Sequence, residues 1–270
     1  MRGLGKIAVI ASAVAVGDGS ALAAPCANPN ALGISRVLSI DPKMTPLVGR
    51  HDYRTTLPLA PGEVVLTFDD GPRPPNTNRV LKALADECLH ATFFIVGRQA
   101  RAHPNMVRQV RAAGHTVGTH SQNHPMRRLS PAHTAQEIDT GIASVGAALG
   151  TSPAPFFRFP GLYRSRAAED YLRRRGLMTW SIDVDSYDWK RIGARQMLDQ
   201  TLARLEARRG GILLMHDVNP KTAAAVPMLI ARLKARGFRV VHVVPRSRGV
   251  PDLVPGAMPQ RATTARRQGR

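Results

Sequence analysis

The sequence predicts an α/β fold in which about seven parallel strands alternate with helices and close, or nearly close, into a barrel. From Glu63 onward, short apolar runs alternate with longer amphipathic stretches, which is the pattern of repeated strand-helix units. These units follow one another over roughly 180 residues, and no Ser/Gly-rich linker divides them. The pattern therefore favours one barrel over a two-domain enzyme.

The strand candidates are short apolar runs, in chain order Glu63–Phe68, Ala91–Val96, His115–Thr119, Phe156–Phe159, Leu177–Asp183, Gly211–Met215 and Phe238–Val243. Helix signals fill the intervals between them. Asn76 precedes a helix over Arg79–Glu87, and Gly114, Gly176 and Gly237 each end a helix directly before a strand.

The first residues have the order of a secretory signal peptide. Arg2 and Lys6 precede the apolar run Ile7–Val16, and small residues follow at 21–24. We expect residues 1–23 to be a signal peptide, and the mature protein to lie in the periplasm or outside the cell. A buried N-terminal helix and an uncleaved membrane anchor are the alternatives.

The remaining chain divides by composition. Residues 24–61 are rich in Pro, Asn and Gly, which predicts an extended N-terminal arm around the barrel of residues 62–244. Residues 245–270 carry many arginines and one acid, which predicts a disordered basic tail.

The chain is strongly basic, with 38 Lys and Arg against 19 Asp and Glu and a net charge of +19. Such a charge attracts polyanions, so an anionic cell-envelope surface is a candidate partner. The alternative, which explains the charge equally well, is an arginine-rich composition with the arginines spread over solvated helix faces. We expect no nucleic acid partner, because the sequence lacks a nucleic-acid-binding motif and because the export signal directs the protein away from genomic DNA.

Two cysteines occur, Cys26 and Cys88. In an oxidising compartment they can form a disulfide that fixes the N-terminal segment to the barrel. A buried Cys88 with a free Cys26 is the alternative, and neither residue has the surroundings of a catalytic cysteine.

Polar residues follow the first and third strand candidates, where the catalytic residues of parallel barrels lie. Asp69 and Asp70 leave an apolar strand together and are stopped by Gly71 and Pro72; two buried carboxylates need a neutralising partner, such as a metal. A turn with two solvated acids is the alternative.

In His120-Ser121-Gln122-Asn123-His124, the spacing of four places both imidazoles on one face of a helical turn. Together with a carboxylate they form a ligand set typical of a catalytic metal site with open positions.

Three further strands end in polar residues. Arg158 lies in an apolar strand and needs a buried acid as its partner, because an unpaired buried guanidinium is very costly. Acids and aromatic residues alternate over residues 180–189, and His216 ends a very apolar strand. A lone histidine at such a position is more often structural, but the repeated placement at strand ends favours a shared site.

These five segments, in this order, resemble the polysaccharide deacetylase family, also called carbohydrate esterase family 4 or the NodB-homology family. The resemblance covers about Glu63 to Val244. It implies a distorted (β/α) barrel with about seven strands and removal of N-acetyl groups from glycans that contain N-acetylglucosamine, such as chitooligosaccharide or peptidoglycan. One divalent metal ion is implied, with zinc as the first expectation and cobalt, nickel or manganese as alternatives.

Position by position, the resemblance implies roles for individual residues. Asp70, His120 and His124 match the metal ligands, and Asp69 matches the general base that takes a proton from a water acidified by the metal. His216 matches the general acid that protonates the leaving amine. The supporting positions are Arg158 beside the base, Asp185 beside the catalytic histidine, Trp189 and Leu214 as walls of the acetyl pocket, and Pro160 with Gly161 in substrate binding.

The segment after Arg158 departs from the common family form, which has Tyr where this chain has Gly161. The family is thought to use the backbone N–H at that position to stabilise the oxyanion, which Gly can still supply, so the departure concerns substrate shape. Asp183 is a second candidate for the acid beside His216. Two other functions stay open: an esterase that removes O-acetyl groups from xylan, and a non-catalytic binder of anionic envelope polymer.

Overall fold

A computed structural model describes residues 26–246. In chain order its strands are β1 Ile34–Ile40, β2 Leu47–Val48, β3 Glu63–Asp69, β4 Thr92–Ile95, β5 Thr116–Thr119, β6 Phe156–Phe157, β7 Met178–Trp180, β8 Val184–Asp185, β9 Gly210–His216 and β10 Arg239–Pro245. Its α-helices are α1 Asn76–Asp86, α2 Gly97–Ala102, α3 Pro104–Ala112, α4 Pro131–Leu149, α5 Arg166–Arg174, α6 Ala194–Arg208 and α7 Pro220–Ala235. A single 3₁₀ turn lies at Pro160–Leu162. All seven strand candidates are present, which confirms the α/β prediction.

The strands form a distorted barrel in which every pairing is parallel within the described residues. β3 pairs with β9 along its whole length, and β4, β5, β6 and β7 follow on its other edge. From β7 the chain continues into β8, which pairs with β9 and so completes the circuit. The distortion arises at β3, where β10 pairs with the first two residues and β4 with the last three.

The alternation of side chains along β3 and β9 determines what faces the barrel interior. Val65 and Ile212 pack in an interior cluster with Phe94, Phe156 and Trp180. Their sequence neighbours on β3 and β9 pack outward under the helices instead. Because alternate residues share a face, Asp69 lies on the same side of β3 as Val65, and His216 on the same side of β9 as Ile212. Both polar residues therefore lie at the carboxyl ends of interior-facing rows.

The helix ends follow the sequence signals. Gly114, Gly176 and Gly237 have φ values of +83°, +69° and +70°, the left-handed conformation that a glycine adopts without strain after a helix. Each is followed within two residues by β5, β7 or β10, as the sequence predicts.

The structure differs from the sequence prediction in the N-terminal segment. Within the predicted extended arm of residues 24–61, β1 pairs with β10 and β2 pairs with β7, so this segment adds two strands to the sheet. The predicted signal peptide of residues 1–23 lies outside the described residues, as does the predicted basic tail beyond residue 246. No helix among residues 26–246 has both the length and the apolar character needed to cross a membrane.

Cys26 and Cys88 form a disulfide, with their Cα atoms 5.8 Å apart. The bond joins the segment before β1 to the connection between α1 and β4, at the end of the barrel where the strands begin. Of the two alternatives that the sequence leaves open, the structure contains the disulfide.

Candidate active site

The turn after β3 places two neighbouring carboxylates in different surroundings. Asp69 is the last residue of β3 and is 2% exposed, whereas Asp70 is in the left-handed region with φ +76° and turns away from the strand. Gly71 allows this turn, because a Cβ atom there would lie 2.4 Å from the buried carboxylate of Asp217. The two acids therefore point to different parts of one site.

The two predicted metal-binding histidines converge, but not through a helical turn. Residues 120–124 form an irregular loop in which Ser121 and His124 have positive φ values, and the rings of His120 and His124 lie 4.9 Å apart. The spacing of four therefore brought the histidines together for a different reason from the one the sequence predicts. The loop itself sets the geometry.

Glu137 of α4 holds this loop in place. Its carboxylate accepts hydrogen bonds from the backbone N–H groups of Gln122 and Asn123 at 3.0 and 2.7 Å, and from the Asn123 side chain at 2.7 Å. Gly141 of α4 packs so closely that a Cβ atom there would lie 2.6 Å from the Ser121 backbone. The sequence analysis missed Glu137, because its partners are backbone groups that no motif records.

Asp70, His120 and His124 form a cluster that suits a divalent metal. One ligand atom of each lies within 4.8 Å of the other two, and Asp70 Oδ1 lies 3.4 Å from His120 Nε2 and 2.9 Å from His124 Nε2. His120 Nδ1 lies 2.7 Å from the Arg158 carbonyl oxygen, which only accepts, so Nδ1 carries a proton and Nε2 is the ring atom that faces Asp70. Asp70 Oδ1 is buried without a hydrogen-bond partner. A cation between these atoms would satisfy the buried carboxylate oxygen, and this nitrogen and oxygen donor set suits zinc and its neighbours.

Arg158 supplies the partner that Asp69 needs. It is fully buried, just past the end of β6, and its NH1 group donates to Asp69 Oδ1 at 2.7 Å and to Thr67 Oγ1 at 2.9 Å. Its guanidinium also lies 4.2 Å from the centre of the Phe94 ring. Asp69 Oδ2 remains directed toward the metal cluster, 3.7 Å from His120 Nε2. The sequence expectation that Arg158 pairs with a buried acid is confirmed.

Asp188, rather than Asp185 or Asp183, is the acid beside His216. Asp188 Oδ1 lies 2.6 Å from His216 Nδ1, and Asp188 Oδ2 accepts hydrogen bonds from the His216 backbone N–H at 2.8 Å and from Thr222 Oγ1. Burial lowers the pKa of His216, but the hydrogen bond and charge of Asp188 outweigh burial, and the carboxylates of Asp70 and Asp69 add to it, which raises the pKa to about 10. His216 is therefore held as a charged proton donor.

Strand register explains why the two sequence candidates do not reach His216. Asp183 donates its backbone N–H to the carbonyl of Ile212, and its carboxylate accepts a hydrogen bond from the Ile212 N–H. Ile212 lies four residues before His216 on β9, which is about 13 Å along the strand. Asp185 pairs with Leu214, and its carboxylate accepts hydrogen bonds from the Tyr187 backbone and the Trp189 side chain. The chain then turns at Tyr187, with φ +52°, and brings Asp188 back to β9.

The remaining predicted site residues lie around this centre. Leu214 is buried on β9, Trp189 is 59% exposed, and Pro160 and Gly161 begin the 3₁₀ turn after Arg158. Gly161 has φ +56°, and a Cβ atom there would lie 2.8 Å from the Tyr163 ring and 3.0 Å from Met126 Cε. Tyr163 therefore covers the position where a side chain at 161 would stand.

Backbone strain is concentrated in the loops that carry the site. Seven described residues other than glycine have positive φ, and five of them lie in these loops: Asp70, Ser121, His124, Leu162 and Tyr187. Each costs on the order of 1–2 kcal/mol. Their concentration at one end of the barrel identifies that end as the functional one.

Three comparisons agree with this geometry. The family model for polysaccharide deacetylase matches residues 57–180. A chitooligosaccharide deacetylase from Bradyrhizobium sp. is 32% identical over 202 residues, which cover 68% of this chain and 89% of that protein. A peptidoglycan-N-acetylglucosamine deacetylase from Bacillus cereus is 30% identical over 64% of this chain and 66% of that protein.

Among solved structures, the Bdellovibrio bacteriovorus peptidoglycan deacetylase superposes with a TM-score of 0.73 and 30% sequence identity, covering 82% of this chain and 62% of that one. The Bradyrhizobium protein is matched over most of its own length, and the residues matched by the family model include Asp69, Asp70, His120 and His124. The chain belongs to the polysaccharide deacetylase family.

Proposed function

We propose that this protein is a metal-dependent hydrolase that removes N-acetyl groups from N-acetylglucosamine units of chitooligosaccharide or peptidoglycan. The observation that carries the proposal is the convergence of a buried base and a charged acid on one metal cluster. Asp69 and His216 end the neighbouring strands β3 and β9 and pair with each other in the strand register. The relatives' substrates supply the glycan class.

Asp70, His120 and His124 would hold the metal, with zinc as the expected ion. When bound, the metal supplies a Lewis acid that acidifies water and polarises the acetyl carbonyl. The hydrogen bond from His120 Nδ1 to the Arg158 carbonyl leaves Nε2 as the ring atom available to bind a metal.

Asp69 acts as the general base. Its Oδ1 is committed to Arg158, so Oδ2 is the oxygen that takes the proton from the attacking water. Arg158 holds the carboxylate in position and supplies the opposite charge that a buried carboxylate needs as a partner.

His216 acts as the general acid. Its Nδ1 is bound to Asp188, so Nε2 delivers the proton to the amide nitrogen as the carbon–nitrogen bond breaks. Water adds to the acetyl carbon, and the products are acetate and a free glucosamine amine. The carboxylate of Asp188 stabilises the imidazolium until that transfer.

In this proposal Leu214 and Trp189 form walls for the acetyl group, and Asp185 orients Trp189 by accepting a hydrogen bond from its indole N–H. The backbone N–H of Gly161 donates to the oxyanion. We also propose that the protein is exported, because its disulfide requires an oxidising compartment.

The test is acetate release from acetylated chitooligosaccharide and from peptidoglycan, with the metal-loaded protein and after chelation. We expect activity that chelation abolishes and zinc restores, and a loss of about 10²–10⁴-fold in Asp69→Asn. Glu206→Gln, on the outer surface of α6, is the matched control and should retain activity. Turnover that survives chelation and Asp69→Asn would contradict the proposal.

A further inference from the structure

The exposed charges around the active site are all positive. The loops that follow the strands at this end are residues 70–75, 120–130, 158–165, 186–193 and 217–219. The exposed charged side chains in these loops, here called the basic rim, are Arg73, Arg127, Arg128, Lys190 and Arg191. The acids in the same loops are committed elsewhere: Asp70 to the metal cluster, Asp188 to His216, and Asp217 beneath Gly71.

The arginines of the basic rim have no carboxylate partner within the described residues. Some exposed cations elsewhere pair with carboxylates, as Arg236 does with Glu206 and Lys82 with Asp86, and others in this part of the chain, such as Arg111, do not. Lys190 lies 3.9 Å from the centre of the Tyr187 ring, which places its charge beside the site. A rim of unpaired cations around a catalytic centre raises the local concentration of anionic ligands.

Arg127 borders a recess beside the loop that carries His120 and His124. It lines this recess with Ser121, which follows the predicted ligand His120, and with Pro160 and Tyr163. Glu137 also borders this recess, but all of its hydrogen-bonding capacity seen here goes to the loop at residues 122–123. The guanidinium of Arg127 is therefore the charge that this recess offers to a ligand.

An apolar platform adjoins that charge. The Tyr163 ring and Met126 meet over Gly161, and their side chains remain 48% and 59% exposed. Exposed aromatic faces suit the apolar face of a sugar ring, and an arginine fork suits a carboxylate. One recess beside the reacting position thus presents both features.

We propose that this recess takes the carboxylate of an acidic sugar next to the reacting N-acetylglucosamine, with the sugar ring on the exposed Tyr163 platform, so that the enzyme prefers acidic glycans over neutral ones. The inference rests on the proposed function. It assigns Arg127 and Arg128 to substrate selection, with Tyr163 as the platform for the sugar, and it gives the chain's charge excess a use at the site.

The test uses three tetrasaccharides of equal length. One is neutral chitotetraose, one alternates N-acetylglucosamine with N-acetylmuramic acid, and the third is that same glycan with its carboxylates converted to methylamides. We expect kcat/KM on the acidic glycan to exceed that on its amidated form by about tenfold. Because screening weakens exposed charges, the advantage should shrink between about 50 mM and 500 mM salt.

The variant Arg127→Gln/Arg128→Gln should lose the preference and keep its kcat/KM on chitotetraose. The matched control is Arg111→Gln/Arg174→Gln, which removes two exposed cations from α3 and α5 and should keep the preference. Tyr163→Ala should raise KM for all three glycans alike.

The outcomes separate the two proposals. Turnover of chitotetraose with equal rates on the acidic and amidated glycans overturns the subsite and leaves the proposed function standing. A preference that survives Arg127→Gln/Arg128→Gln, or a loss of chitotetraose turnover in that variant with unchanged thermal stability, also overturns it. Absence of turnover on all three glycans overturns the proposed function together with the subsite.

Discussion

The two ends of the barrel bury histidines in opposite surroundings. Where the strands end, His120 and His216 face carboxylates, at 3.4 Å from Asp70 and 2.6 Å from Asp188. Where the strands begin, His90 contacts two other histidines, with ring centres 5.8 Å from His115 and 5.1 Å from His242. No carboxylate bonds to these three rings among residues 26–246.

The neighbours decide the charge of each histidine. Burial, together with a smaller contribution from the adjacent histidine rings, lowers the pKa of His115 to about 3 and that of His242 to about 4. Burial opposes the charge of His216 as well, but Asp188 outweighs it and raises that pKa to about 10. At the carboxyl end His216 is therefore charged at neutral pH, whereas at the amino end His115 and His242 are neutral.

The amino end also contains a disulfide and a buried ion pair that stabilise the fold. The disulfide joins Cys26 to Cys88, and Arg36 forms a two-pronged ion pair with the buried Glu63 at 2.9 and 2.7 Å. Changes at this end should alter stability and spare turnover, and changes at the carboxyl end should do the reverse. The following predictions test that division.

The largest effect should come from Asp188→Asn. The variant retains the shape of the side chain but removes the charge that keeps His216 protonated, so kcat/KM should fall about 10²–10⁴-fold. The pKa of His216 should also fall from about 10. Since a general acid works only when protonated, the alkaline limb of the pH–rate profile should move toward neutral pH, which a profile on chitotetraose would measure.

Asp185→Asn is the matched control for that experiment. Its carboxylate bonds to Tyr187 and Trp189 instead of His216, so we expect a smaller loss and an alkaline limb that stays in place. If Asp185→Asn moved the limb and Asp188→Asn did not, the assignment of the acid would have to be reversed.

The sequence predicts the site residues at the carboxyl ends of the strands better than the residues that hold them in place. Asp69 and His216 are the last residues of their strands, and strand parity directs their side chains to the site, so the local pattern suffices for these two; Asp70 reaches the site through the left-handed turn that follows β3. Asp188 could not be placed from sequence, because the turn at Tyr187 decides which of several neighbouring acids returns to β9. Glu137 could not be identified from the sequence either, because it lies in α4, 13 residues after His124, and its partners are groups of the loop at residues 122–123.

The disulfide gives the second-largest expected effect. It closes a segment of 62 residues, so the double variant Cys26→Ser/Cys88→Ser should lose about 2–4 kcal/mol in the free energy of unfolding. Because the bond lies at the amino end, kcat/KM on chitotetraose should stay within about twofold. Urea unfolding and steady-state kinetics on one preparation would measure both, and a tenfold loss of turnover in the folded variant would contradict the division.

Glu137→Gln should weaken metal binding without removing a ligand. The neutral amide loses the charge-assisted hydrogen bonds to residues 122–123 that fix the loop between His120 and His124. Zinc affinity, measured against a competing chelator, should fall about tenfold to a hundredfold, in the range that supporting residues of metal sites show. Glu206→Gln serves as control, and equal zinc affinity in both variants would show that the loop holds its shape unaided.

The last prediction concerns the acid sensitivity of the amino end, which should appear only below about pH 6. His115 and His242 stay neutral in the folded protein down to pH values near 3 and 4, whereas the unfolded chain takes up protons near pH 6.5. Between these values the unfolded state binds more protons, so stability falls as the pH falls, by about 1.4 kcal/mol per pH unit for each histidine.

His115→Asn tests this slope directly. An Asn oxygen can replace His115 Nδ1 as the acceptor for the Ala91 N–H, so the fold keeps that bond while the titrating group disappears. Between about pH 6 and pH 4, the variant's free energy of unfolding should decline less steeply than that of the wild type, by about 1.4 kcal/mol per pH unit. His133→Asn, on the exposed face of α4, should keep the wild-type slope. Equal slopes for His115→Asn and the wild type would mean that His115 takes up its proton while the protein is still folded, and the contrast between the two ends of the barrel would fail at its clearest point.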